Sequence, residues 1–164
     1  MLLIDEQVKI LKLMNEMTGH VDINEFAKKT GSASNKIVQH MQELAKEGFL
    51  KKVGGGFTIT EKGKKTLKAF TPLPANMRFN FYIAIGQPTG KSAGSVKEFH
   101  DLVLDVNVAS LEFHLERGDF ENWFRTAVGD EGLADDLAKK REKGLREEEL
   151  RKLIVKAAED RYSL

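Results

Sequence analysis

Three groups of residues in this 164-residue chain carry side chains able to do chemistry. The first is Gly86-Gln87-Pro88-Thr89-Gly90-Lys91-Ser92-Ala93-Gly94. A phosphate loop of the form G-x-x-x-x-G-K-[S/T] wraps phosphate in backbone amides, sets a lysine on the terminal oxygens and a hydroxyl on magnesium. Gly90-Lys91-Ser92 matches its end, but the opening glycine belongs at position 85, which is Ile85. The remaining chain also lacks the parallel sheet and second acidic strand that nucleotide hydrolysis uses. The expectation is a plain connection from a strand to a helix. The second group is Glu98, His100, Glu112, His114, Glu116 and Asp119, with two Glu-Phe-His triplets. Ligands two apart on one helix point to different faces, and the segment holds no His-x-x-x-His or Glu-x-x-His pair, so helix surface and internal hydrogen bonds are expected rather than a metal. The third group is a short polar run, Ser34, Asn35, Lys36, Gln39 and His40, whose types suit the edges and phosphates of duplex DNA.

The composition narrows the field. The chain has no cysteine, which removes disulfides, thiolate metal sites and thiol catalysis. No set of nucleophile, base and orienting group can be assembled, so neither catalysis nor a cofactor is expected. No apolar run approaches the roughly 20 residues that span a bilayer, and MLLIDEQVK lacks the parts of a signal peptide, so a cytoplasmic protein without membrane contact is expected. The net charge of +1 hides a division. Residues 1–70 hold 12 Lys, no Arg and 8 acids, a balance of +4, and the rest holds 14 bases and 17 acids, a balance of −3. A basic first part suits a polyanionic partner.

The third group needs a helix to present it. From Asp5 to Met17, apolar residues recur at helical spacing, and Gly19 is expected to end that helix. Asp22 is expected to cap a second helix through Phe26 and Ala27 that Gly31 closes, and Ser32 or Ser34 to cap a third. The third helix should bury Ile37, Val38, Met41, Leu44 and Ala45, leaving Ser34, Asn35, Lys36, Gln39, His40 and Glu43 outward, with His40 an ordinary surface side chain. Residues 49–53, a Gly54-Gly55-Gly56 turn and residues 57–60 alternate as a hairpin, and Thr60-Glu61-Lys62-Gly63 opens a further helix with Leu67 and Phe70.

This order, together with the stretch SASNKIVQHMQELAKEGFLKKVGGGFTITEKGKKTL, resembles bacterial and archaeal winged helix-turn-helix regulators of the multiple-antibiotic-resistance and phenolic-acid-regulator type. The likeness runs over about 65 residues and makes 1–71 the expected first domain. It implies a homodimer on double-stranded DNA, the 34–47 helix in the major groove and the 49–60 wing on the backbone. Ser34, Asn35, Lys36, Gln39 and His40 would face the groove, and Lys51, Lys52, Lys62, Lys64 and Lys65 would meet phosphates. The family's wing often carries an arginine, whereas this tip is only glycine.

Thr71-Pro72-Leu73-Pro74 marks the expected boundary of a second domain, 72–164. Residues 77–85 form a strand, and helices follow over about 95–104, 108–116, 120–128, 131–143 and 147–162, with Phe120, Trp123 and Phe124 in the core or on a partner-binding patch. The expected class is therefore mainly α with small β: a winged helix-turn-helix, then a mostly helical domain entered by one strand. Residues 78–162, with SLEFHLERGDFENWFRTAVGDEGLADDLAKK, resemble an archaeal and bacterial helical family with no established activity. Dimerisation, or an unknown small-molecule or protein effector, is the expected role of 72–164. The functional expectation is a DNA-binding transcriptional regulator. The alternatives are a winged-helix interaction adaptor without DNA binding and a small phosphate-ligand sensor.

Overall fold

The computed structural model describes residues 1–17 and 23–164, and the expected stop at Gly19 and cap at Asp22 lie outside the described residues. The chain is mostly helical with two small antiparallel sheets, an α+β composition. It divides into two compact units, Met1–Lys68 and Ala69–Leu164. No described helix is long and apolar enough to cross a membrane.

Unit 1 runs α1 (Asp5–Glu16), α2 (Ile23–Thr30), α3 (Ser34–Lys46), β1 (Leu50–Val53), β2 (Gly56–Ile59) and the start of α4 (Glu61–Phe70). Each helix turns an apolar stripe inward: Ile10, Leu11 and Met14 from α1, Phe26 from α2, and Ile37, Met41 and Leu44 from α3. With Phe49 and Leu50 they form one core. Neither expected serine caps α3. Its N-cap is Ala33, without a side-chain bond, and Ser32 instead donates to Glu6 (3.1 Å). The hairpin pairs Leu50 with Ile59 and Val53 with Gly56, turning at Gly54, whose φ of +58° suits a residue without Cβ. Gly63 has a different reason to be glycine. A Cβ there would lie 2.3 Å from the Phe49 carbonyl oxygen and 2.7 Å from Ile59 Cγ1, so α4 can start hard against the hairpin only without a side chain.

Unit 2 departs from the expected single strand and connecting loop. β3 (Phe79–Ala84) pairs with a second strand, β4 (Gln87–Ala93), with Phe79 opposite Ala93 and register shifts near Tyr82. Gly90-Lys91-Ser92 therefore lies within β4 rather than in a connecting loop, with Gly90 and Lys91 at the register shift, the Lys91 amide donating to Thr89 Oγ1 (3.1 Å) and the Lys91 ammonium spent on Asp105. The helices α5 (Val96–Asp105), α6 (Val108–Arg117), α7 (Asp119–Trp123), α8 (Glu131–Arg141) and α9 (Glu147–Tyr162) follow, and α7 continues into a π-helical turn, Phe124–Val128. Local signals set several ends. Ser95 accepts from the Glu98 amide, Asn107 from Ala109 and Asp130 from Leu133, while Gly118 and Gly129 close their helices in the left-handed region. The core is strongly aromatic: Phe79, Phe81, Phe99, Phe120, Trp123 and Phe124 meet at centroid separations from 4.8 to 5.9 Å. Thus Phe120, Trp123 and Phe124 are core residues.

Candidate nucleic-acid interface and the second unit's pocket

On α3 the buried stripe leaves Asn35, Lys36, Gln39 and Gln42 exposed. Asn35 Oδ1 accepts from the Lys36 amide (2.9 Å), ordering the first turn. Gln39 donates to Glu43 (3.1 Å), and Ser34 is half-buried with its hydroxyl 3.5 Å from Asn24 Oδ1. Gln42 continues the spacing 35–39–42, a helical period that could have named it from the sequence.

His40 is not one of the outward side chains. One ring nitrogen lies 3.1 Å from Glu6 and the other 3.3 Å from Glu43, so the imidazole joins α1 to α3 and has nothing left for a groove. Hydrogen bonds from Ser32 and then His40 hold the Glu6 carboxyl below its ordinary range, and bonds from Gln39 and His40 do the same for Glu43. Gln7 adds a further donor to Glu43 at 3.0 Å.

The lysines of the hairpin region also divide. Lys62 donates to the Glu47 carbonyl (2.6 Å) and lies 4.4 Å above the Phe49 ring, so it closes the end of α3. Lys64 pairs with Glu61 at 3.1 Å. Lys36, Lys51, Lys52 and Lys65 are exposed and make no ion pair or side-chain hydrogen bond among the described residues. Among the lysines expected to meet phosphate, these four keep their ammonium groups free of protein partners.

Comparison of the chain with protein-family models, curated proteins and solved structures finds no match. Its own geometry therefore carries the functional argument.

In unit 2 the Glu-Phe-His triplets do separate structural work. Glu98 accepts from the Gly94 amide (2.6 Å) and from Arg78, while His100 lies 2.9 Å from both Asp101 and Glu159. Glu112 accepts from the Glu147 amide (3.0 Å), and Glu116 pairs with Arg146. His114 is buried. Its Nε2 accepts from the Tyr82 amide (2.8 Å), which leaves the proton on Nδ1 to bond Asp119 (2.8 Å). Burial lowers its pKa and outweighs Asp119, keeping the ring neutral. Among the described residues no three His, Asp or Glu side chains converge as a metal site would require.

Beside His114 opens a cavity of about 600 Å³, bounded by β3, α6, α7 and the Ala75–Met77 turn. Phe79, Phe113, Tyr82 and Trp123 give it aromatic walls, with Arg78, Arg117, Asn80 and Asn122 among its polar groups. The Trp123 indole is fixed by donation to the Met77 carbonyl (2.8 Å). Sequence spacing could not find this cavity, because its walls come together only when β3 packs on α6.

Proposed function

We propose that unit 1 is a winged helix-turn-helix that binds double-stranded DNA, and that the chain acts as a cytoplasmic, homodimeric transcriptional regulator. One observation carries this reading: α3 follows a short turn after α2, buries one face and leaves Asn35, Lys36, Gln39 and Gln42 exposed, immediately ahead of a hairpin bearing Lys51 and Lys52. Asparagine and glutamine present the paired donor and acceptor that fit adenine in the major groove, and free lysines neutralise phosphate. In a dimer two such helices would read half-sites about 34 Å apart. Residues 72–164 would supply dimerisation or sensing.

Lys36, Lys51, Lys52 and Lys65, the unpaired lysines among the proposed contacts, set the size of the test. If each neutralises one phosphate, log affinity falls against log salt with a slope of about −3 to −4 per protomer, or about 100-fold between 50 and 200 mM salt. Fluorescence anisotropy on random duplex DNA should give that slope. Lys36→Ala should reduce it by about one, and Gln39→Ala should weaken a selected operator more than random duplex. Absence of binding at low salt, or binding indifferent to salt, overturns the reading. That result would favour the interaction adaptor, to which the all-glycine hairpin tip at 54–56 is better suited than to a minor groove.

A further inference from the structure

We propose that the cavity of unit 2 binds a small apolar monocarboxylate, its carboxylate on the terminal nitrogens of Arg117 and its body against Trp123 and Phe113. The inference concerns unit 2 alone and does not rest on DNA binding.

Arg117 is held from two sides. Its Nε donates to Asp119 (3.1 Å), and its guanidinium carbon lies 5.1 Å from the Phe113 ring centre. The two terminal nitrogens make no hydrogen bond among the described residues, although the group lines the cavity. A guanidinium oriented by a carboxylate and a ring, with its outer fork open, is preorganised for a bidentate carboxylate. The side-chain amides of Asn80 and Asn122 and the Tyr82 hydroxyl, also in the lining, lack hydrogen-bond partners among the described residues.

Charge limits the ligand to a monoanion. The second guanidinium, Arg78, spends Nε and one terminal nitrogen on Ser92 (2.9 and 2.8 Å) and offsets its charge against Glu98 (3.4 Å), His114 is neutral, and Asp119 would repel a second negative charge. The walls ask for an apolar body. Trp123 and Phe79 form the inner surface, while Met77 and Ile85 at the rim are 40% and 81% exposed, apolar area that a bound ligand would take from water. A cavity of about 600 Å³ falls within the range that holds such molecules.

Trp123 is the one tryptophan of the 164 residues, so the chain carries its own reporter. Benzoate, 4-phenylbutyrate and octanoate, each beside its carboxamide, should be titrated against indole fluorescence and the indole N–H resonance. A saturable shift with at least one acid is expected, at a Kd of about 1 mM or tighter, with its amide at least about tenfold weaker. Arg117→Met should weaken the acid about tenfold and leave the amide unchanged, with thermal melting showing that the variant is folded. An indole resonance unmoved by all three acids at about 10 mM overturns the proposal. Equal binding of acid and amide to the unaltered protein overturns it as well, whatever the variant does.

Discussion

Unit 1 closes its core with Ile10, Leu11, Met14, Ile37, Met41, Leu44 and Leu50 around Phe26 and Phe49, whereas unit 2 stacks Phe79, Phe81, Phe99, Phe120, Trp123 and Phe124 and buries His100, His114 and Asp130 beside them. Aliphatic packing is nearly non-directional, so unit 1 keeps most of its charged chemistry on its surface, where a partner can meet it. Rings and buried polar atoms need particular angles and partners. Unit 2 accordingly spends its histidines and many of its acids internally, and what it offers to a ligand is a cavity shaped by that packing. The difference in cores is thus also a difference in the partners each unit suits.

The largest expected effect tests the aromatic side of that comparison. Phe99 is fully buried and touches Phe79, Phe81, Phe120, Trp123 and Phe124. Phe99→Ala should cost about 3–5 kcal/mol. Denaturation followed by Trp123 fluorescence measures it, and a cost below about 1 kcal/mol would mean that the ring cluster is not what holds unit 2 together.

In unit 1 the tightest demand is on backbone approach rather than on side-chain fit. Gly63→Ala places a methyl carbon against the Phe49 carbonyl, which the hairpin can relieve only by moving away from α4. A loss of about 2–3 kcal/mol is expected, read from the hydrogen exchange of the β1 and β2 amides.

Asp130 carries the pH dependence of unit 2 at the acid end. Burial opposes its charge, but donors from Arg161 (2.9 and 2.7 Å), Tyr162 (2.7 Å) and the Leu133 amide (3.1 Å) prevail and bring its pKa down to about 2. The unfolded carboxyl titrates near 3.8, so this contribution is complete above that pH and disappears as pH falls toward 2. Asp130→Asn should cost about 2 kcal/mol at neutral pH and remove most of the loss between pH 4 and 2. A variant with an unchanged acid limb would show that other carboxylates set it. Burial and Asp130 together push the Tyr162 hydroxyl up, so that proton stays in place across the range.

A smaller effect in unit 2 falls near neutrality. The folded His114 resists protonation, while the unfolded histidine accepts a proton near pH 6.5. Unit 2 should therefore lose stability as pH falls through that range, by the sign of linkage for a lowered base. The His114 ring signals should titrate below 6.5 in NMR. Titration at or above that value would mean that the Tyr82 amide does not hold the neutral tautomer.

Much of unit 1 could be read from the chain itself. The positions of Ile37, Met41 and Leu44 gave the inward face of α3, and Gly54-Gly55-Gly56 marked the hairpin turn, because both signals act over a few residues. The candidate interface was legible in part. Asn35, Lys36, Gln39, Lys51, Lys52 and Lys65 are exposed as expected, and so is Lys62, although the Glu47 carbonyl takes its ammonium; His40 was placed outward when Glu6 holds it in. Residues 34 and 15 positions apart are invisible to helical spacing.

The sequence by itself determined where many elements begin and end, since caps, glycines and apolar periods are local interactions of a backbone with its own neighbours. Ser95 and Asn107 start helices, and Gly118 and Gly129 end them, through bonds within a few residues. Tertiary structure alone decided that 87–93 is a strand, because Gly90-Lys91-Ser92 has no alternation of its own and the segment is held by pairing Gln87, Pro88, Ser92 and Ala93 with β3. It also decided that His114 is neutral and that a cavity opens beside it. Those properties depend on Tyr82, Asp119 and Trp123 arriving from separate elements, and only the packed chain brings them within hydrogen-bond and van der Waals reach.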